Sequence, residues 1–345
     1  MKIAFFEAKD YDVKYFSQYN NNRHEITFFE EALTVQTIQK VQGFDAISTF
    51  HNTDGNEELF ENLHKVGVKF WLQRSMGYGN VNIKAANKFG IKVFRVLSYA
   101  PESVAEMALA LLMGLNRHLV KTTKAVKQYN FSTNGLLALS ISGSTIGVIG
   151  AGKIGQSFIK VVKAMGAKVL VSDPMLEEQS PQLSNQLGFE FVSLNQLMSQ
   201  SDFIIVCAGL NASSKHILNQ ESLSLAKNSA LVVNIGRGEL VDTKVMLKAL
   251  KNKQIAGFAT DVLEGEEGRF YEDLSANKQT LEQEDLTWKE LIQMDNVLIT
   301  PHYGFLTTLA LSQITQATLN NADAAQQGDF TYALEVLENG KVKNG

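Results

Sequence analysis

The segment NIGRGELVD (234–242) sets Arg237 between Gly236 and Gly238, directly after the apolar run ALVVN. The run reads as a buried strand, and glycines on both sides of a cation let backbone or ligand approach closely. A guanidinium at such a strand end is suited to grip a carboxylate through two parallel hydrogen bonds. Two further strand-like runs end in groups of complementary chemistry. IAGFATD ends at Asp261 and leads into VLEGEE, with Glu264, Glu266 and Glu267, while NVLIT leads into Pro301-His302-Tyr303-Gly304. A histidine can give a proton to a carbonyl oxygen and take it back, and a glutamate beside it fixes the tautomer and stabilises the imidazolium. Singly, each has a plainer explanation: surface charge for the arginine, a turn for the histidine, a solvated acidic loop for the glutamate. Together they suit a 2-keto acid held by its carboxylate and protonated on its carbonyl oxygen, with hydride coming from a nicotinamide.

A place for that nicotinamide is written in TIGVIGAGKIG (145–155), where Gly150, Gly152 and Gly155 form G-x-G-x-x-G. A strand-like run precedes them and the amphipathic QSFIKVVKAMG follows. In that context the glycines permit a tight turn, close approach of a diphosphate to a helix amino end, and helix–strand packing. KVLVSD ends at Asp173, 18 residues after Gly155. A carboxylate there accepts hydrogen bonds from ribose hydroxyls and repels a 2′-phosphate. Pro174-Met175-Leu176 follows, with no arginine, so NAD is expected over NADP.

These groups need strand ends to carry them. KIAFFEA, EITFFE, DAISTF, VKFWLQ and IKVFRV alternate with amphipathic stretches such as NEELFENLHKV in the first hundred residues. A second series runs through STIGVIG, AKVLVSD, DFIIVCA, ALVVNIG, IAGFATD and NVLIT. This βα rhythm predicts parallel sheets with helices on both faces, and ligands then bind outside the carboxyl ends of the strands. Between the two series, residues 101–130 read as one long helix opened by Pro101 and Glu102. The acidic stretch 264–290 reads as a long loop.

At 345 residues the chain has room for about two domains. Apolar residues make up 45% and charged residues 20%, a globular composition. Lys plus Arg number 32 against 36 Asp plus Glu, a net charge of −4 that argues against nucleic acid and anionic membrane partners. The one cysteine, Cys207, fits packing in a reducing cytoplasm, and the six histidines show no metal-ligand spacing, so no metal is expected. The amino terminus reads as a first strand rather than a signal peptide.

The ordered set GAGKIG with Asp173, NIGRGELVD, DVLEGE and TPHYGFLT resembles the D-isomer-specific 2-hydroxyacid dehydrogenases over nearly the whole chain. FHNTDG, RSMGYGNVNI, YAPESVAE, YNFSTNGL and RFYED resemble the fermentative D-lactate dehydrogenases among them. The resemblance implies an α/β fold with two doubly wound parallel sheets. A flavodoxin-like substrate domain would comprise 1–100 and 302–345, and a Rossmann-type NAD-binding domain, 101–301, would be inserted in it. It implies reduction of pyruvate to D-lactate with NADH in the cytoplasm, in a cleft that closes about a hinge, by a homodimer or homotetramer with the 101–130 helix at the interface.

Carried onto matching positions, the resemblance makes Arg237 the anchor of the substrate carboxylate and His302 the acid/base. Glu266 becomes its partner in place of Glu264, by the family's spacing of five residues after Asp261. Asp261 is implied beside the nicotinamide carboxamide and Lys153 and Ile154 at the diphosphate, with Ala208, Gly209, Ile235 and Gly236 lining the cofactor groove. Backbone amides of Met76 and Gly77 would add to the carboxylate site, and Phe50, Tyr99 and Phe305 would wall a small pocket. The chain departs from the family pattern at Gly236, where serine is common, at Gly209 and Leu97, where proline is common, and at Met107, where histidine is common. These bear on cofactor affinity and domain closure. Three alternatives stand beside pyruvate reduction. One is a bulkier 2-keto acid such as 2-ketoisocaproate or phenylpyruvate. Another is a phosphorylated acid, for which 50–52 and 74–80 offer only Arg74. The last, of another class, is an NAD-sensing corepressor-like interaction protein, disfavoured by the expectation that both ends stop near the fold.

Overall fold

The computed structural model describes residues 1–337 and 342–344. The chain forms two compact units, Met1–Ala100 together with the segment from Leu306 onward, and Pro101–Phe305. The return crossing falls at Leu306 rather than at 302. Asp261 accepts the N–H groups of Tyr303 and Gly304, and the ring of Tyr271 lies 6.4 Å from that of Phe305, so these residues belong with the second unit.

The first unit is a five-stranded parallel sheet of β1 (Lys2–Phe5), β2 (Glu25–Phe28), β3 (Ala46–Thr49), β4 (Phe70–Gln73) and β5 (Lys92–Arg95), in the order β2-β1-β3-β4-β5. That order is the doubly wound arrangement of flavodoxin type. Every residue of β3 is buried, as expected for a parallel strand covered on both faces. The helix Thr308–Gln327 returns to this unit. Its Ala322 and Ala325 pack with Ile3, Ala46, Leu72 and Phe94, while Leu319 joins Phe5 and Phe16. A small antiparallel hairpin, Glu335–Val336 with Val342–Lys343, follows.

The second unit has seven parallel strands: β6 (Thr145–Ile149), β7 (Lys168–Ser172), β8 (Glu190–Phe191), β9 (Phe203–Val206), β10 (Leu231–Asn234), β11 (Gly257–Thr260) and β12 (Val297–Ile299). Their order is β12-β11-β10-β9-β6-β7-β8. Along β9 alternate side chains feed two cores. Phe203 and Ile205 face Leu111, Leu112, Phe158 and Val162, whereas Ile204 and Val206 face Leu197, Met246 and Leu250. Fully burying each such side chain is worth about 1.5–3 kcal/mol, so the sheet is held from both sides. Ile149, Val206, Asn234, Thr260 and Ile299 stand level across the sheet, so the residues following these strands gather along one edge.

Two further expectations are corrected. The stretch 101–130 is two helices, Pro101–Asn116 and Leu119–Val126, separated by His118 in a left-handed conformation (φ 51°). Buried Asn116 explains the stop: its side-chain amide donates to the Leu139 carbonyl and accepts the Leu139 N–H, tying the helix end to a later segment. The stretch 264–290 is largely ordered into a 3₁₀ turn, Ser275–Asn277, and two helices, Lys278–Glu284 and Leu286–Gln293. Among the described residues, no helix is long and apolar enough to cross a membrane.

Candidate active site

In the second unit β6 lies between β7 and β9, where the strand order reverses, and the glycine loop leaves its carboxyl end. Gly150 has φ +85°, and a Cβ there would lie 2.6 Å from the Ala208 Cα. At Gly155 a Cβ would lie 2.5 Å from the Gly150 carbonyl oxygen, so loop and helix pack as only glycine permits. Gly152 meets nothing within 4 Å and is the N-cap of the helix Lys153–Ala164, with no side-chain cap. Gly152 and Lys153 are exposed and Ile154 is half-buried. The first-turn N–H groups and the positive end of the dipole thus border open space of the kind a diphosphate requires. Asp173 is the N-cap of Pro174–Gln179; its carboxylate accepts the Leu176 N–H at 3.1 Å and the Ala151 N–H at 2.9 Å. Carboxylate oxygens have further lone pairs, so both contacts are compatible with accepting ribose hydroxyls. Cys207 precedes Ala208 and Gly209 beyond β9, and burial pushes its thiol up to about 12, so it carries no thiolate at neutral pH.

Arg237 follows β10 in a turn organised by Asn234, a fully buried residue not singled out in the sequence. The Asn234 side chain accepts the Gly236 N–H at 3.1 Å and donates to the Arg237 carbonyl at 2.8 Å. Arg237 is half-buried, and its Nη1 donates to the Gly236 carbonyl at 2.8 Å. Ile235 is buried below the turn. The departure at Gly236 has a steric reason: a Cβ would lie 2.7 Å from both the Ala208 carbonyl oxygen and Leu240 Cδ1. Gly238 is tighter still, with a Cβ 2.2 Å from the Leu263 carbonyl carbon. That close approach sets the Arg237 turn against the segment that leads to Glu266.

The ends of β11 and β12 bring Asp261, Glu266 and His302 together. His302 Nδ1 lies 2.5 Å from Glu266 Oε1, and Glu266 Oε2 accepts the Leu263 N–H at 2.7 Å. Glu264 pairs instead with His216 Nε2 at 2.9 Å, and Glu267 is exposed. His302 has φ 53°, left-handed and disfavoured for a residue with a Cβ. Asp261 secures the turn around it by accepting the Thr300 hydroxyl at 2.6 Å and the N–H groups of Tyr303 and Gly304 at 3.1 and 2.8 Å. Burial pushes the Asp261 carboxyl above its ordinary range, opposed by these hydrogen bonds and by the charge of His302. Met107 packs near Gly304, where a Cβ would lie 3.3 Å from its side chain. Phe305 is buried at the end of the turn. Asn234, Thr260 and Thr300 share a legible signal, a single polar residue closing an apolar run: LVVN, GFAT and VLIT.

In the first unit, the residues after β3 and β4 carry the remaining candidates. Glu7 is buried, with φ 57°. Its carboxylate accepts the N–H groups of Phe50, His51, Asn52 and Thr53 at 2.8–3.2 Å and the Thr53 hydroxyl at 2.6 Å, shaping the loop that holds half-buried Phe50. Arg95 Nη1 donates to the Met76 carbonyl at 2.6 Å. Because a trans peptide sets its C=O and N–H on opposite sides, this grip turns the Gly77 N–H the other way. Tyr99 is half-buried and Leu97 exposed. Arg74 is inward-facing: it is buried, donates to Ser48 Oγ and the Phe6 carbonyl, sits 4.0 Å from Asp12 and stacks 3.8 Å above Phe5. Glu7, Asp12 and Arg95 carry no mark in the sequence, because nothing local shows a charge to be inward-facing.

The model of the NAD binding domain of D-isomer specific 2-hydroxyacid dehydrogenases matches residues 109–304. The D-lactate dehydrogenase of Escherichia coli (strain K12) is 38% identical over 330 residues, 95% of this chain and 98% of that protein. The apo-structure of D-lactate dehydrogenase from Escherichia coli superposes with a TM-score of 0.84 at 36% identity, covering 95% of this chain and 98% of that one. The structure of D-2-hydroxyisocaproate dehydrogenase does so at 0.82 and 30% identity, covering both chains completely. With two doubly wound units, a glycine loop at the point where the strand order reverses, and these likenesses over nearly its whole length, the chain belongs to the D-isomer-specific 2-hydroxyacid dehydrogenases, NAD-dependent oxidoreductases.

Proposed function

We propose that this enzyme reduces pyruvate to D-lactate, with His302 as acid/base. The pairing of His302 Nδ1 with Glu266 at 2.5 Å carries the reading. With its Nδ1–H donated in a hydrogen bond to that carboxylate, the imidazolium has its Nε2 proton to give to the substrate carbonyl oxygen, and ionised Glu266 stabilises the positive charge until that proton leaves. Arg237 grips the substrate carboxylate through its fork, and the amides of Met76 and Gly77 add to that grip. Bound NADH supplies the hydride for the carbonyl carbon. Gly150, Gly152, Lys153, Ile154 and Gly155 would hold its diphosphate, and Asp173 its ribose. Ala208, Gly209, Ile235 and Gly236 would line its groove, with Asp261 toward its nicotinamide end. Phe50, Tyr99 and Phe305 wall the space for the substrate methyl group. We place the enzyme in the cytoplasm as a homodimer or homotetramer. Support for self-association comes from Phe131 and Leu137, 69% and 96% exposed beyond the helix Leu119–Val126, which buries none of its own residues.

The likeness to D-2-hydroxyisocaproate dehydrogenase favours one rival, the same chemistry on a bulkier acid. A phosphorylated acid is disfavoured because Arg74 faces inward. NADH oxidation with pyruvate, 2-ketoisocaproate, phenylpyruvate and 3-phosphohydroxypyruvate separates these readings. Pyruvate should give the highest kcat/KM, and His302→Ala and Arg237→Ala should each lower it at least about a hundredfold with NADH affinity retained. A higher kcat/KM for a bulkier acid would replace pyruvate as substrate. Absence of turnover with all four, despite NADH binding, would favour an NAD-sensing interaction protein.

A further inference from the structure

The left-handed backbone of His302 needs something to hold it, since a residue with a Cβ leaves that conformation unless its surroundings over-determine it. We infer that Tyr271 is a positioning residue for His302, its hydroxyl latching the turn that aims the imidazole at Glu266. The phenol donates to the His302 carbonyl at 2.9 Å. On the other side of the same peptide, the Tyr303 N–H donates to Asp261 Oδ1 at 3.1 Å. The plane that sets ψ of His302 is therefore pinned at both ends, because a trans peptide carries its C=O and N–H in opposite directions.

The latch and the carboxylate partner come from one short segment. Arg269 and Phe270 donate their N–H groups to the Glu266 carbonyl, both at 3.0 Å, closing a turn from which Tyr271 emerges, itself left-handed at φ 69°. The segment is braced from outside: Arg269 pairs with Asp285 at 3.0 Å and stacks 4.6 Å above Trp288. It thus grips His302 twice, by the imidazole through Glu266 and by the main chain through Tyr271. The ring of Tyr271 lies 6.0 Å from the imidazole and 6.4 Å from Phe305, which packing alone would explain; the phenol oxygen on the carbonyl is what packing does not require.

Titratable groups bonded to this turn include Glu266, Asp261 and Tyr271, with Tyr303 in the turn itself, while Arg237 stands two strands away at the end of β10. Loss of the latch lets the backbone relax and loosens the hydrogen bond between His302 Nδ1 and Glu266. The inference rests on the proposed acid/base role only for its kinetic consequence, so the deciding measurement is independent of turnover. Tyr271→Phe removes one oxygen and keeps the ring; circular dichroism and NADH affinity check the fold. The Nδ1–H of His302 is followed by NMR in wild type and variant, its resonance assigned by its loss in His302→Gln. The expected result is a displaced resonance and faster exchange with solvent in Tyr271→Phe, as the hydrogen bond to Glu266 loosens. In turnover, kcat for keto-acid reduction should fall about three- to tenfold with KM unchanged. An Nδ1–H resonance unchanged in position and exchange overturns the inference, whatever the activity. Full activity in His302→Ala would instead remove the acid/base reading and leave the NMR result to decide on Tyr271.

Discussion

Residues of one type play unlike parts here according to the company they keep. Arg74 and Arg237 both follow apolar strands, yet Arg74 is buried against Phe5, Ser48 and the Phe6 carbonyl, whereas Arg237 stands half-buried on a turn at the strand-end edge. Burial lowers the pKa of Arg74 and raises that of Asp12 beside it, but an arginine stays charged over any ordinary pH range. Glu264 and Glu266 differ in the same way: one serves His216 and Thr243, the other His302. The two glutamates should therefore separate cleanly on mutation. Glu266→Gln should lower kcat/KM for reduction by about 10²–10⁴-fold, while Glu264→Gln should stay within a few-fold of wild type. Equal losses in steady-state assays of the two variants would contradict the assignment.

At the scale of elements, the strand ends matter more than the strands. Asn234 closes β10 and bonds both sides of the Arg237 turn, and its own carbonyl accepts the Asp261 N–H at 3.1 Å and the Thr260 hydroxyl at 3.2 Å. One buried amide thus couples the arginine turn to the strand end that carries Asp261. Asn234→Ala leaves the Gly236 N–H and the Arg237 carbonyl without that partner, at a cost of about 1–3 kcal/mol. The expected outcome is a lower Tm together with a rise in KM for the keto acid of about tenfold, since a mobile turn holds the guanidinium less well. Thermal unfolding and steady-state kinetics check it, and unchanged KM would mean that the turn is held without Asn234.

For the whole molecule, the chain must leave the first unit, build the second and return, and the return is secured at the first unit's own termini. The helix Thr308–Gln327 packs on Asp10–Asn20, and its Asp323 meets Arg23 at 2.6 Å and His24 at 3.0 Å. The His24 ring is buried, and desolvation lowers its pKa against the opposing pull of Asp323. A base whose folded pKa lies below its unfolded value takes up protons mainly on unfolding, so stability falls as pH drops through about 6.5. Urea midpoints should accordingly decline between about pH 7 and 5, and His24→Gln should flatten that decline while lowering the midpoint at pH 7. A variant that declines as steeply as wild type would assign the acid sensitivity elsewhere.

The sequence by itself determined both sheets, the glycine loop and the strand ends that bear Arg237, Asp261 and His302. Buried parallel strands are continuous apolar runs, and turns that approach a diphosphate require glycine at set positions. The partner of His302 was implied only by the resemblance, through the family's spacing of five residues after Asp261; the residues alone left Glu264, Glu266 and Glu267 equal. Only the tertiary structure decided the rest. That the 101–130 stretch breaks at His118 follows from the amide of Asn116 reaching Leu139, 23 residues on. That Glu7 shapes the Phe50 loop, that Arg74 faces inward and that Tyr271 reaches the His302 carbonyl depend on contacts across 43, 68 and 31 residues. A local pattern shows where a strand must end, because burial and backbone geometry act on neighbours; which polar group meets which is set only when the sheet brings distant strand ends level.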